Sequence, residues 1–160
     1  MTQPWLHIIG IGADGLPGLG QAARAALDSA EVLVGGERLL AMLPPDSRER
    51  LAWPSPFSAL TGRLQELKPR RVAVLATGDP MWFGVGATLA RQIHSDEMLV
   101  IPTPSAFSLA AARLGWALAD CRTVSVHGRP LALLQSYIQP GARLLVLAHD
   151  AETRPRRLKS

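Results

Sequence analysis

Short apolar runs alternate with segments of helical spacing from Trp5 onward, and this alternation narrows the possible folds more than any other feature. A run that is apolar at every position, rather than at every second one, is a strand buried on both faces. Such strands belong to parallel sheets covered by helices. Trp5 to Ile9 is the first run, ending in a tight loop at Gly10 and Gly12. Leu19 to Ala30 is alanine-rich with few breakers and predicts a helix. Glu31 to Val34 predicts the next strand, and Glu37 to Leu43 a short helix stopped by Pro44 and Pro45. Ser55 to Leu67 has a serine start and helical spacing. Arg71 to Ala76 is the clearest strand. It runs into the turn Thr77-Gly78-Asp79-Pro80, and a helix is predicted over Val85 to His94, then a strand over Met98 to Ile101. The class is therefore α/β.

Pro102 and Pro104 bracket a stiff connection, which predicts a boundary between an N-terminal α/β domain, residues 1–101, and a second domain, residues 102–160. Beyond it come a helix (Ser105 to Leu114), a strand (Arg122 to Val126), a helix (Leu131 to Ile138) and a strand (Arg143 to Leu147). So few strands are thin for a free-standing sheet.

The bulk numbers exclude more than they select. With 48% hydrophobic and 19% charged residues the composition is globular, and 160 residues suit one ordinary domain or two small ones. The net charge of +4 favours anionic partners, whether a nucleic acid, an acidic lipid surface or a polycarboxylate; Arg154, Arg156, Arg157 and Lys159 supply much of the excess. Cys121 is the only cysteine, which excludes an internal disulfide and a multi-thiolate metal site. His7, His94 and His149 are scattered without metal-ligand spacing, so no metal is expected. No apolar run approaches the roughly 18 residues of a membrane span, and no secretory signal is visible; a reduced, cytoplasmic protein is expected.

Three elements carry chemistry. Gly10-Ile11-Gly12-Ala13-Asp14-Gly15 matches G-x-G-x-x-G between a strand and a helix, the pattern of a dinucleotide loop or of a plain strand-to-helix turn. Leu16-Pro17-Gly18 intervenes before the helix, which weakens the dinucleotide reading. In Thr77-Gly78-Asp79-Pro80-Met81-Trp82-Phe83-Gly84, a glycine follows a strand at the edge where open α/β sheets bind ligands. Asp79 is either a turn residue or a ligand contact, and Trp82 and Phe83 either pack into the core or line a cleft for a flat apolar ligand. In Pro102-Thr103-Pro104-Ser105-Ala106-Phe107-Ser108, Ser105 is a natural helix cap whose hydroxyl can also hold an adenine or a ribose.

Together, the G-I-G loop, L-A-T-G-D-P-M-W-F-G, P-T-P-S-A-F-S-L-A-A-A-R-L-G and the S-V-H-G-R of Ser125 to Arg129 resemble the tetrapyrrole methylase family, over essentially residues 5 to 150. The last segment resembles the branch that methylates precorrin-6Y, or its cobalt form, at carbon 5. The resemblance implies two α/β domains with S-adenosylmethionine (SAM) held in a cleft between them. It places Thr77, Gly78, Asp79 and Trp82, with Ser105 and Ala106 from the linker and Ala148 from the last strand, against SAM. Gly10, Gly12 and Phe83 would line the substrate end, Arg129 would bind a substrate carboxylate, and His127 would serve any proton transfer. It also implies a homodimer and, in some relatives, a partner methyltransferase that acts at carbon 15 and decarboxylates an acetate arm. The family's second domain continues through further strands, so a curtailed second domain is expected here.

Methyl transfer from a sulfonium to a nucleophilic carbon needs orientation and exclusion of water rather than a catalytic triad, and none is visible. The alternatives from other classes are a nicotinamide- or flavin-binding oxidoreductase and a basic RNA-binding module. Aromatics are only 5% and are not interleaved with the basic residues, which argues against a base-stacking platform; neither nucleic acid nor membrane is the expected partner.

Overall fold

The computed structural model describes residues 3–148. The chain divides into two compact units, Met1–Ser105 and Ala106–Ser160. The first is built on a five-stranded sheet of order β3-β2-β4-β1-β5, parallel at every pairing. Its strands are β1 (Leu6–Ile11), β2 (Val32–Gly35), β3 (Glu49–Ala52), β4 (Val72–Thr77) and β5 (Met98–Ile101).

The fully apolar runs form the centre of this sheet because alternate side chains enter two separate cores. Ile9 and Ile11 of β1, Leu33 of β2 and Ala73 and Leu75 of β4 face one core. There they meet Ala23, Ala26 and Leu27 of α1 (Gln21–Asp28) and Leu39 and Leu40 of α2 (Glu37–Ala41). Leu6, Ile8, Val32, Val34, Val72 and Val74 face the other. Leu60 and Leu64 of α3 (Leu60–Glu66) and Leu89 of α4 (Val85–Leu89) cover that side. The α/β class read from the pattern is thus the observed one.

Local structure departs from the sequence reading at four places. The helix expected from Ser55 to Leu67 becomes α-helical only at Leu60, after a 3-10 turn over Phe57–Ala59, and Ser55 does not cap it. β3 has the polar sequence Glu-Arg-Leu-Ala and no apolar run; it is a strand because it adds to β2 at the sheet edge, Val32 opposite Glu49 through Gly35 opposite Ala52. The helix expected over Val85 to His94 stops at Leu89, its last turn continuing only as i→i+3 and i→i+4 bonds to Ile93. The helix expected over Leu131 to Ile138 is a 3-10 helix, Leu131–Tyr137, with no buried residue. With its apolar side chains left unburied, a continuous α-helix has little to stabilise it.

The second unit contains α5 (Ala106–Leu114) and a pair of parallel strands, β6 (Arg122–Ser125) and β7 (Leu144–Leu147). Its core is small: Phe107 and Ala111 of α5 against Leu145 of β7, with Trp116, Leu118 and Leu147 around them.

At the amino end of the large sheet, Glu97 ties three segments. Its Oε2 accepts from Trp5 Nε1 at 2.9 Å and from the Lys68 ammonium, which also lies 5.0 Å from the centre of the Trp5 ring. The Lys68 bond first and the Trp5 bond second hold the Glu97 carboxyl below its ordinary range. A carboxyl depressed on folding adds stability in full above its unfolded pKa, and this is lost as pH falls through the folded value. Glu97→Gln should therefore lower the thermal midpoint at neutral pH, and the two curves should converge on acidification. A gap that stays constant from pH 7 to pH 3 would exclude a charged role for Glu97.

Candidate functional site at the carboxyl edge of the sheet

β1 and β4 are neighbours, yet their following helices pack on opposite faces: α1 against the first core and α4 against the second. Where adjacent crossovers diverge, the carboxyl ends of the two strands are left uncovered, and open α/β sheets bind ligands at such a switch point.

A single peptide organises that edge. Gly78 has φ +67, a left-handed conformation that a side chain disfavours. Its N–H donates to Ile11 O at 2.8 Å, extending the β1–β4 ladder by one bond. Its carbonyl then accepts from Thr103 N at 3.4 Å and from Thr103 Oγ1 at 3.0 Å. The loops after β1, β4 and β5 are thereby joined, and the residues from Thr77 to Asp79 lie beside the linker that ends at Ser105. Gly10 lies directly under the clasp, where a Cβ would stand 2.1 Å from Gly78 O and 2.9 Å from Thr103 N. Gly12 is half-buried and faces the Thr103 side chain.

The other residues of this edge are displayed to different degrees. Thr77 ends β4 and is exposed, its Oγ1 accepting from Arg38 Nη2 at 3.2 Å. Asp79 is half-buried; its Oδ1 accepts from Met81 N at 2.8 Å, so it is a turn residue whatever else it does. Met81, Trp82 and Phe83 are exposed at 47%, 41% and 50%, so none of the three is core. Phe83 has φ 52, a conformation that costs a non-glycine residue on the order of 1–2 kcal/mol. Ser105 is buried.

The remaining sequence-derived residues belong to the second unit. Ala106 is the first residue of α5 and is exposed. His127 and Arg129 follow β6 and Ala148 follows β7, all exposed at the carboxyl edge of that small sheet. The His127 N–H donates to Ser125 Oγ at 3.4 Å and the Arg129 N–H to Val126 O at 3.1 Å. His149 and the basic residues Arg154, Arg156, Arg157 and Lys159 lie outside the described residues.

Sequence reasoning passed over Thr103 and Arg38. Thr103 was signalled only by the prolines on either side of it. Arg38 carried no motif at all, since the approach of α2 to the end of β4 is a tertiary event. The dinucleotide reading fails on two points. Leu16–Gly18 is a 3-10 turn, so Gly15 does not open α1, which begins at Gln21. The order β3-β2-β4-β1-β5 puts β4 between β1 and β2, where the dinucleotide fold has them adjacent. The first glycine of the motif instead makes room for Gly78.

Among the described residues no group of three or more His, Cys, Asp or Glu side chains is placed to hold a metal ion, and no helix is long and apolar enough to cross a membrane.

Comparison with known proteins gives consistent results. The family model for tetrapyrrole (corrin/porphyrin) methylases matches residues 5–156. A precorrin-6Y C(5,15)-methyltransferase [decarboxylating] of Sinorhizobium sp is 47% identical over 151 residues, 94% of this chain and 37% of that protein. The cobalt-precorrin-7 C(5)-methyltransferase of Salmonella typhimurium is 30% identical over 153 residues, 96% of this chain and 75% of that one. The crystal structure of a precorrin-6Y methylase from Archaeoglobus fulgidus superposes with a TM-score of 0.65 at 28% identity, covering 90% of this chain and 72% of that one. The chain thus spans little more than a third of the first of these relatives.

The clasp can be tested by stability. Gly10→Ala should destabilise the protein by about 1–3 kcal/mol or more in urea unfolding, because the obstructing atoms are backbone. Gly62→Ala, in α3 with open space around it, should instead stabilise by about 0.5–1 kcal/mol. Equal effects at both positions would remove the steric argument.

Proposed function

The chain belongs to the tetrapyrrole (corrin/porphyrin) methylase family, and on that premise we propose that it is the C5-methylating part of a precorrin methyltransferase of cobalamin biosynthesis, using SAM as methyl donor and a precorrin-6Y-type ring as acceptor. The observation that carries this reading is the joining of the loops after β1, β4 and β5 through the Gly78 peptide, which brings the G-I-G, T-G-D-P and P-T-P-S segments of the resemblance to one sheet edge.

The groups displayed there suit a sulfonium nucleoside chemically. Such a ligand offers an ammonium, ribose hydroxyls and a cationic sulfur. The edge offers the Thr77 hydroxyl, the Asp79 carboxylate and the exposed Trp82 indole, whose face attracts cations. Asp79 Oδ1 is held by the Met81 amide, which fixes the carboxylate's direction while Oδ2 makes no hydrogen bond among the described residues. Within the first unit, Thr77, Gly78, Asp79, Trp82 and Ser105 are the residues that would hold SAM. When bound, SAM supplies an electrophilic methyl group to a nucleophilic ring carbon. The protein's share of the work is orientation and water exclusion, worth about 7–11 kcal/mol in well-oriented systems. Phe83 and Met81 add an apolar surface for a flat macrocycle.

The same reading includes a homodimer working in the cytoplasm. The name of the Sinorhizobium relative supports a C15-methylating, decarboxylating partner, fused or separate.

Calorimetric titration with S-adenosylhomocysteine should show micromolar binding to the protein. Asp79→Asn keeps an oxygen for the Met81 amide but removes the charge, so it should fold normally and bind about tenfold more weakly, ~1.4 kcal/mol. Binding of NADH without any binding of S-adenosylhomocysteine would overturn the assignment.

A further inference from the structure

Arg38 is a guanidinium held at the carboxyl edge of the large sheet with no carboxylate paired to it among the described residues. It is the second residue of α2, which buries Leu39 and Leu40 in the core and leaves Arg38 on the exposed side. Four arginines of this unit are paired with carboxylates: Arg48 and Arg50 with Asp46, Arg70 with Glu49, and Arg71 with Glu31. Arg24, Arg63 and Arg91 form no ion pair among the described residues, but among these arginines Arg38 alone is hydrogen-bonded to the end of β4. Arg38 forms no ion pair among the described residues, although Glu37 is its sequence neighbour. Its hydrogen bond there is from Nη2 to Thr77 Oγ1, 3.2 Å long. That bond has consequences for both ends. It holds the side chain over the end of β4, one residue before the Gly78 clasp. It also leaves the charge uncompensated, since a hydroxyl accepts a hydrogen bond but contributes no anion.

A guanidinium keeps its charge at all physiological pH values and has five N–H donors in a planar fork suited to a carboxylate. One donor is spent on Thr77, and among the described residues the rest of the fork makes no other hydrogen bond at the edge that also carries the exposed Met81, Trp82 and Phe83. Apolar surface for a macrocycle beside a positioned, uncompensated cation is what a flat ring with acidic arms requires.

We propose that Arg38 is a specificity-determining residue that receives one peripheral carboxylate of the acidic tetrapyrrole. The inference rests on the proposed function and deepens it by naming a substrate-recognition group that no sequence motif marks. Thr77 Oγ1 then acts as the positioning group that aims the fork. The carboxylate of the amino-acid end of SAM is the same chemistry from another source, so the test separates the two ligands.

The experiment compares the unsubstituted protein with Arg38→Gln and Arg38→Lys, using two probes: uroporphyrin, an octacarboxylate, followed by its visible absorption, and S-adenosylhomocysteine, followed by calorimetry. Because Arg38 is exposed, both variants should keep the far-ultraviolet circular dichroism and thermal midpoint of the parent. Arg38→Gln should weaken uroporphyrin binding about tenfold or more at low salt, the size expected for a lost charge-assisted pair. Arg38→Lys should recover part of the loss, and S-adenosylhomocysteine affinity should stay within about twofold. Uroporphyrin binding unchanged in Arg38→Gln would overturn the inference and leave the methyltransferase reading standing. A parallel loss of S-adenosylhomocysteine affinity would overturn it by assigning Arg38 to the nucleoside. Failure of the unsubstituted protein to bind S-adenosylhomocysteine at all would remove the parent reading, and this inference with it.

Discussion

The Gly78 peptide joins segments that lie far apart in the chain. Its amide completes the hydrogen bonding of Ile11 and its carbonyl takes both donors of Thr103, so the ends of β1, β4 and β5 are set by one residue. That arrangement demands two glycines for different reasons. Gly78 needs a left-handed φ to turn its carbonyl across the sheet edge, and Gly10 must lack a Cβ so that the carbonyl can lie on β1. The prolines around Thr103 limit the freedom of the incoming segment, which lowers the entropy cost of holding it there.

The edge exists as an open surface because the crossovers of β1 and β4 diverge. With α1 and α2 on one face and α3 and α4 on the other, the helices bury both faces of the sheet but not its end. The magnitudes allow this. Each of the large side chains in β1, β2 and β4 that is almost fully buried contributes about 1.5–3 kcal/mol. One strained Phe83 and a few exposed apolar side chains cost far less than the sheet as a whole supplies. The core can therefore support the exposure of Met81, Trp82 and Phe83 at this edge.

Legibility varied with how local the cause was. β1, β2 and β4 could be located because full burial requires an unbroken apolar run, and such a run is visible in the residues themselves. β3 could not, because Glu49 to Ala52 pairs with β2 at an edge and needs no apolar run. The shortness of α4 and the 3-10 form of Leu131–Tyr137 were hidden because helical spacing does not reveal whether a core is there to receive the apolar face. At the site, the turn role of Asp79 was readable from its type and position. The G-x-G-x-x-G was readable as a loop but misleading as chemistry: its first glycine answers to the carbonyl of a residue 68 positions away.

What the amino-acid sequence determined alone was the α/β class, the place of the principal strands and the loops able to bear a ligand, because burial, turn conformation and proline stiffness act over a few neighbouring residues. Strand order, the clasp at Gly78 and the station of Arg38 beside Thr77 were decided only by the tertiary structure. Each is a contact between side chains or peptides separated by tens of residues, and its geometry arises only when the sheet assembles with β4 between β2 and β1.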